Sequence, residues 1–309
     1  MVNSNHSSQW SELKEKGGML PLMLMLGFYR LGGRFLCRLV LYFVIMWYWL
    51  FSKMARQASL CYLKKVHTFA GNQTPFIDQP SITNTYTHLM QFGECILDKI
   101  EGWLGHIDEK KLNLRGHEHF RAHYQKGAII VVSHFGNIEL LRAIKSEQKQ
   151  KINILVYQKH ATQFNQFLKK LNTKADVHLI SVDELGLETA FQLHDKLEQG
   201  EWIIVAADRV PVQSARVQTV SFLAEDAEWP QGAWILANLL KVPVLAVFCY
   251  RIKNSFDVHI HKLADQIELP RATRLHAMQN FTRQYVSLLE QHCIRAPYQW
   301  FNFYHFWKK

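Results

Sequence analysis

Five short runs rich in β-branched and aliphatic residues leave this chain little freedom of fold class. They are AIIVV (residues 128–132), INILVY (152–157), VHLISV (177–182), WIIVAA (202–207) and PVLAVFC (243–249). Helical patterns alternate with them near 138–147, 161–171, 187–199 and 231–240. Strands alternating with helices of this length imply βαβ units around a largely parallel sheet, the α/β class with a single αβα-type domain. FDVHIHKL (256–263) reads as an edge strand, and 271–293 as a long amphipathic helix. There is no internal repeat and no low-complexity tract.

The N-terminal region differs in kind. MLPLMLMLGFY (19–29) and LVLYFVIMWYWLF (39–51) are almost wholly apolar, with Arg30, Arg34 and Arg38 between them. Neither run alone reaches the ~20 residues a bilayer span needs. The second ends in large aromatic and aliphatic residues followed by Lys53 and Arg56, not in the small residues of a cleavage site. Two membrane readings are open: an uncleaved anchor over about 35–52 with Arg38 snorkelling, or amphipathic helices lying in the interface. A buried helical hairpin in a soluble protein is the alternative. The three arginines, four residues apart, would form one basic stripe on a helix. The organisation expected is a membrane-associating segment over residues 1–67, a Thr-, Asn- and Pro-containing linker over 68–85, and a catalytic domain over 86–309.

Lys and Arg number 36 against 26 Asp and Glu, a net charge of +10, which favours anionic partners. No nucleic-acid recognition motif accompanies the charge, and the apolar N-terminus points to a membrane instead. Cys37, Cys61, Cys95, Cys249 and Cys293 are scattered without a C-x-x-C pair. That argues against a disulfide framework or zinc site and for a reducing, cytoplasm-facing compartment.

The chemistry concentrates where the first strand ends, in SHFGNIE (133–139). Active sites in open α/β sheets form beyond strand carboxyl ends, and His134 occupies such a position. Gly136 permits a tight turn, Asn137 suits an N-cap, and Glu139 falls in the first helical turn. A glutamate five residues on could reach one imidazole nitrogen, fixing the tautomer and leaving the other to accept a proton. His134 and Glu139 are thus a candidate base and its partner. The competing reading is a structural histidine with its bonds satisfied. Ser133 is a poor nucleophile for His134, because adjacent strand residues point to opposite faces. A His-Glu pair without a nucleophile suits direct attack by a substrate hydroxyl on an activated acyl group.

SHFGNIE resembles the H-x-x-x-x-D/E motif of the glycerolipid and lipid A acyltransferase superfamily, closest to the late acyltransferases of lipid A biosynthesis and their bacterial relatives. The resemblance continues in order through EQGEWIIVAADRVPV (198–212), WPQGAWILANLLKVPVLAVF (229–248) and LEQHCIRAPYQWFNFYHFW (289–307). It implies transfer of a fatty or polyene acyl group from acyl carrier protein or coenzyme A to a hydroxyl of a membrane lipid. The enzyme would sit at a bacterial inner membrane, its catalytic domain on the cytoplasmic side. His134 would be the general base and Glu139 its partner, with Phe135, Gly136 and Asn137 beside substrate. Asp208 and Arg209 would flank the site, Arg209 meeting negative charge or forming a structural ion pair. Gln231 and Gly232 open a helix whose free N–H groups could meet an oxyanion or phosphate, or serve only helix-start geometry. Lys159, Asn165, Lys169 and Lys170 follow the second strand, and none is singled out as an oxyanion donor. Arg209 stands where lipid A enzymes often have glutamine. No cofactor is expected, since the thioester is a substrate, and no covalent acyl-enzyme. Acyl carrier protein and membrane lipids are the expected partners. An acyl-thioester hydrolase and a non-catalytic lipid-binding member of the fold are the rival functions.

Several histidines read as decoys for a metal site. His119 and His123 lie four apart in GHEHFRAH (116–123), without the H-E-x-x-H order or a third ligand. His259 and His261 alternate along a strand and share one face; no metal ligand is assigned there either. The C-terminal aromatics Trp300, Phe301, Phe303, Tyr304, Phe306 and Trp307 either close a core or touch an acyl chain.

Overall fold

The computed structural model describes residues 19–123, 126–143, 151–156, 177–181, 187–210 and 216–307. Five of the six apolar runs become strands within a residue or two of their expected bounds. In chain order the sheet strands are β1 (Leu112–Arg115), β2 (Ala128–Val132), β3 (Ile152–Val156), β4 (Val177–Ser181) and β5 (Trp202–Ala206). After a separate hairpin, β6 (Val217–Phe222) and β7 (Glu225–Pro230), come β8 (Val244–Ile252) and β9 (Ser255–Ala264). The main sheet runs β1-β9-β8-β2-β5-β3-β4. Among the described residues only the β8–β9 pairing of this sheet is antiparallel; the other five are parallel.

The central strand β2 is buried at every residue, as a strand covered on both faces must be. Its side chains divide by the period of two. Ile129 and Val131 enter one core with Ile203, Val244, Phe248 and Tyr285, and Ala128, Ile130 and Val132 enter the other with Ile204, Leu245 and Val258. The helices are α1 (Met19–Phe51), α2 (Lys53–Ala70), α3 (Ile82–Trp103), the short α4 (His117–Arg121), α5 (Leu187–Glu198), α6 (Gly232–Leu240) and α7 (Arg274–Arg295). From α2, Tyr62, Leu63 and Val66 are fully buried in the first of these cores. The 68–85 stretch holds a 3₁₀ turn, Gly71–Gln73, and the capping box with which Ser81 and Asn84 start α3.

Three expectations change. FDVHIHKL is not at an edge, because β1 pairs with β9 in parallel and covers it. Residues 138–143 form a 3₁₀ helix, not the start of an α-helix. The arginine stripe is broken, because Gly32 and Gly33 leave helical geometry and divide α1 between Arg30 and Arg34. Beyond the kink, Arg34 and Arg38 turn toward α3. Arg34 bonds Glu94 at 2.5 Å, Asp98 at 2.7 Å and Glu101 at 2.7 Å, and Arg38 bonds Glu94 at 2.7 Å. Arg251 of β8 meets the same Asp98. The opposite face of α1 is apolar and exposed, with Phe35 81%, Phe43 71% and Trp47 64% accessible. Met23–Phe51 is long and apolar enough to cross a membrane by length and composition. The expected helix at 161–171, and Lys159, Asn165, Lys169 and Lys170, lie outside the described residues.

One buried group makes the fold acid-sensitive. His88 of α3 is fully buried, with Nδ1 2.9 Å from Ser59 Oγ and Nε2 2.9 Å from the Trp300 carbonyl oxygen. A carbonyl only accepts, so Nε2 carries the proton and Ser59 donates to Nδ1. Burial pushes the His88 imidazole down to about 4 despite that carbonyl. A depressed histidine stabilises the fold fully above the unfolded value of about 6.5, and that stability is lost as pH falls toward 4. Urea unfolding is expected to show a loss of about 3 kcal/mol across this window, and a shallower slope in His88→Gln.

Candidate active site

β2 and β5 are neighbours in register, Val132 opposite Ala206. Two residues beyond each pairing stand His134 and Asp208, so the parallel register itself sets them side by side at the carboxyl ends of the strands. The His134 backbone N–H donates to Asp208 Oδ2 at 2.8 Å, and Nδ1 lies 2.8 Å from Oδ1. Trp300 Nε1–H adds a third bond to Oδ2 at 3.0 Å. Asp208 is 2% exposed, and three donors on one buried carboxylate keep it ionised. Burial alone would raise its pKa, but the neighbouring His134 and Arg209 charges and these bonds hold it below the usual carboxylate range.

A carboxylate at Nδ1 fixes the tautomer, with the proton on Nδ1 and the Nε2 lone pair free. Among the described residues Nε2 has no partner, and the His134 side chain is 37% exposed. Burial lowers its pKa; Asp208 opposes that and Arg209 reinforces it, leaving the imidazole below the ordinary histidine value. The group is therefore a neutral, oriented, accessible base near pH 7.

The loop carrying His134 is held by main-chain bonds on both sides. Gly136 N–H donates to Gln299 O at 2.7 Å, Asn137 N–H to Cys249 O at 2.6 Å, and Phe301 N–H to His134 O at 2.8 Å. Gly136 has φ 60°, and a Cβ there would overlap the Cys249 carbonyl oxygen. Gly136→Ala is expected to destabilise the fold by at least ~2 kcal/mol, the left-handed penalty plus the overlap, measured by urea unfolding.

The residues expected at the site fall into two groups. His134, Asp208 and Arg209 come together. Arg209 donates to Phe301 O at 3.2 Å and stacks over Tyr304, 5.9 Å from its ring centroid. Phe135, Asn137, Gln231 and Gly232 are engaged within the fold around the site. Phe135 is 3% exposed and packs edge-on against Tyr250 at 5.0 Å, within the core. Asn137 is 2% exposed and precedes the 3₁₀ helix. Gln231 donates its side-chain amide to Val217 O and its backbone N–H to Arg216 O, each at 2.9 Å, which ties it to the β6–β7 hairpin. Gly232 begins α6. Glu139 lies in the 3₁₀ helix, its side chain outside the described atoms; the nitrogen reserved for it, Nδ1, is held by Asp208.

Sequence reasoning placed Asp208 near the site but missed its bond to His134, and missed Trp300 as its second side-chain donor. The order β2-β5 was the missing information, since His134 and Asp208 are 74 positions apart. The C-terminal aromatics divide likewise: Trp300 is 1% exposed and packs with Tyr62, Phe222 and Phe306, closing the core.

No curated protein matches this chain. A family model described as bacterial lipid A biosynthesis acyltransferase matches residues 87–309, from α3 to the C-terminus and across both His134 and Asp208. The chain belongs to the bacterial lipid A biosynthesis acyltransferase family.

Proposed function

We propose that this protein moves an acyl group from a thioester of acyl carrier protein or coenzyme A to a hydroxyl of a lipid acceptor, with His134 as general base. The observation that carries the reading is the fixed Nδ1–H with an open Nε2. Nε2 takes the acceptor's hydroxyl proton as the oxygen attacks the thioester carbonyl. The carbon–sulfur bond then breaks, and the imidazolium returns the proton to the departing thiolate. Asp208 orients the ring and offsets the imidazolium charge, which makes it a positioning residue. Arg209 is the cation assigned to a negative group of acceptor or donor, where it also disfavours a charged resting histidine.

The apolar face of α1 supports attachment at a membrane, with the basic chain and its catalytic domain on the side that meets an acidic carrier protein. The inner membrane of a bacterium, cytoplasmic side, is the setting this reading assigns.

Membranes containing the protein would be given radiolabelled acyl carrier protein and total lipid extracts followed beside His134→Ala. Label entering a discrete lipid only with the native protein is the expected result. Label released only as free fatty acid would favour the hydrolase. A donor consumed by neither protein, with coenzyme A thioesters also inert, would favour a binding role.

A further inference from the structure

On the same side of β8 as the Phe135 ring lies a histidine cluster the mechanism does not use. His259 and His261 share one face of β9, and His292 comes down on that face from the last turn of α7. One nitrogen of each ring lies within 4.8 Å of those of the other two. His259 and His292 are 8% and 5% exposed, whereas His261 opens onto a surface hollow it lines with His119, Lys262, Arg283 and Gln284.

The separation of His261 and His292 matches what a metal would require. His261 Nε2 and His292 Nε2 are 3.3 Å apart. Two metal–nitrogen bonds of ~2.0–2.1 Å at a tetrahedral angle put their nitrogens about 3.3–3.4 Å apart. The other ring nitrogens are already oriented. Tyr250 Oη lies 3.2 Å from His292 Nδ1 and 3.3 Å from His259 Nε2. The phenol oxygen has two lone pairs and can accept an N–H from each ring. With both N–H groups donated to it, the His292 Nε2 lone pair faces His261 and the His259 lone pair is left on Nδ1. That is the arrangement by which outer partners fix a ligating imidazole. Asp257 stands behind His259, 3.6 Å from Nε2, and is itself paired with Arg295 at 2.7 Å.

We propose that His259, His261 and His292 form a binding site for a divalent transition-metal ion of the zinc class, clamping β9 to α7. Three imidazoles and no carboxylate in the set suit zinc, cobalt, nickel or copper, and do not suit calcium or magnesium, which take oxygen ligands. His292 stacks on Phe248 at 4.3 Å and lies 6.0 Å from Phe135, the residue after the base. The clamp would therefore stiffen the floor under the His134 loop while taking no part in the reaction.

The test uses the full chain, purified in detergent through a tag free of histidine and stripped with a chelator. Equilibrium dialysis against zinc alone is expected to give one bound equivalent, and cobalt the visible absorption of a tetrahedral nitrogen site. Zinc is expected to raise the thermal midpoint. His261→Ala, at the solvent side of the cluster, is expected to weaken binding at least 10- to 100-fold, the loss that outer partners alone cause. It should also remove the thermal shift. His194→Ala, in the exposed trio His194, Asp195 and Glu198, is the control and should change nothing. Tyr250→Phe is expected to weaken zinc by about 10- to 100-fold with the fold retained. No stoichiometric zinc, or zinc that survives His261→Ala and is lost in His194→Ala, would overturn the proposal.

Discussion

Replacing His134 by alanine is expected to lower acyl transfer by about 10²–10⁴-fold, the contribution of a positioned general base. The fold should survive, because the side chain is 37% exposed and its main-chain bonds to Asp208 and Phe301 do not depend on the imidazole. Binding of the thioester donor should be nearly unchanged, so the loss falls on kcat and not on KM. The native protein supplies a second readout. Only the neutral imidazole accepts a proton, and burial and Arg209 hold its pKa below the ordinary value. The rate is therefore expected to be level through pH 7 and to fall on the acid side of about 6.5. An acid limb well above that value would contradict the geometry, as would transfer undiminished in His134→Ala.

Asp208→Asn is expected to cost a comparable ~10²–10⁴-fold, for a different reason. Asparagine keeps the size and can still accept from the His134 and Trp300 N–H groups through one oxygen. Its amide would offer a proton to Nδ1, favouring the tautomer with the proton on Nε2, the wrong one for a base. The charge that offsets the imidazolium would also be gone. Glu139→Gln separates this assignment from the one the H-x-x-x-x-E spacing implies. With Asp208 as the orienting group, Glu139→Gln should lose less than Asp208→Asn. The reverse order would return the role to Glu139. Circular dichroism on both variants would show whether a fall in rate reflects the site or the fold, since Asp208 is 2% exposed.

The parts of the fold that read plainly from the sequence are those where burial dictates composition. Strands flanked on both faces must be apolar throughout, and AIIVV and WIIVA could hardly be anything else. β1, LNLR, is four residues of mixed character at an edge, and carries no comparable pattern. The β6–β7 hairpin hides for another reason. Its turn residues are Leu223 and Ala224, at φ 54° and 65°, where Asn-Gly would have announced a turn. Tertiary bonds hold that turn instead: Leu223 N–H donates to Glu290 at 2.6 Å, and Trp307 Nε1–H to Phe222 O at 3.2 Å. The site follows the same division. His134 was legible from its place after a buried strand. Its partner was not, because a local spacing offers the nearest carboxylate whereas strand order supplies the actual neighbour. His292 was invisible as a companion to His259 and His261 because a helix 31 residues away delivers it.

The ionic contacts between α1 and α3 bear on how this enzyme can be handled and how it can evolve. An apolar segment joined only by a peptide link can be cut away or exchanged while the domain behind it stays as it was. Here a truncation starting at Lys53 would strip Glu94 of both its cations and Glu101 of Arg34, leaving Asp98 with Arg251. The cut leaves Glu94 and Asp98 uncovered and like-charged four residues apart, a repulsion of about 0.2–0.5 kcal/mol, and strips Leu89, Met90 and Leu97 of their packing against Cys37, Leu41 and Ile45. Such a shortened protein is expected to melt well below the full chain, chiefly from the lost apolar packing, and Glu94→Gln should recover only the small part due to repulsion from Asp98. A soluble version is thus obtained by redesigning the acidic and apolar face of α3 together with the cut. Any exchange of leader between relatives must carry the matching charges with it.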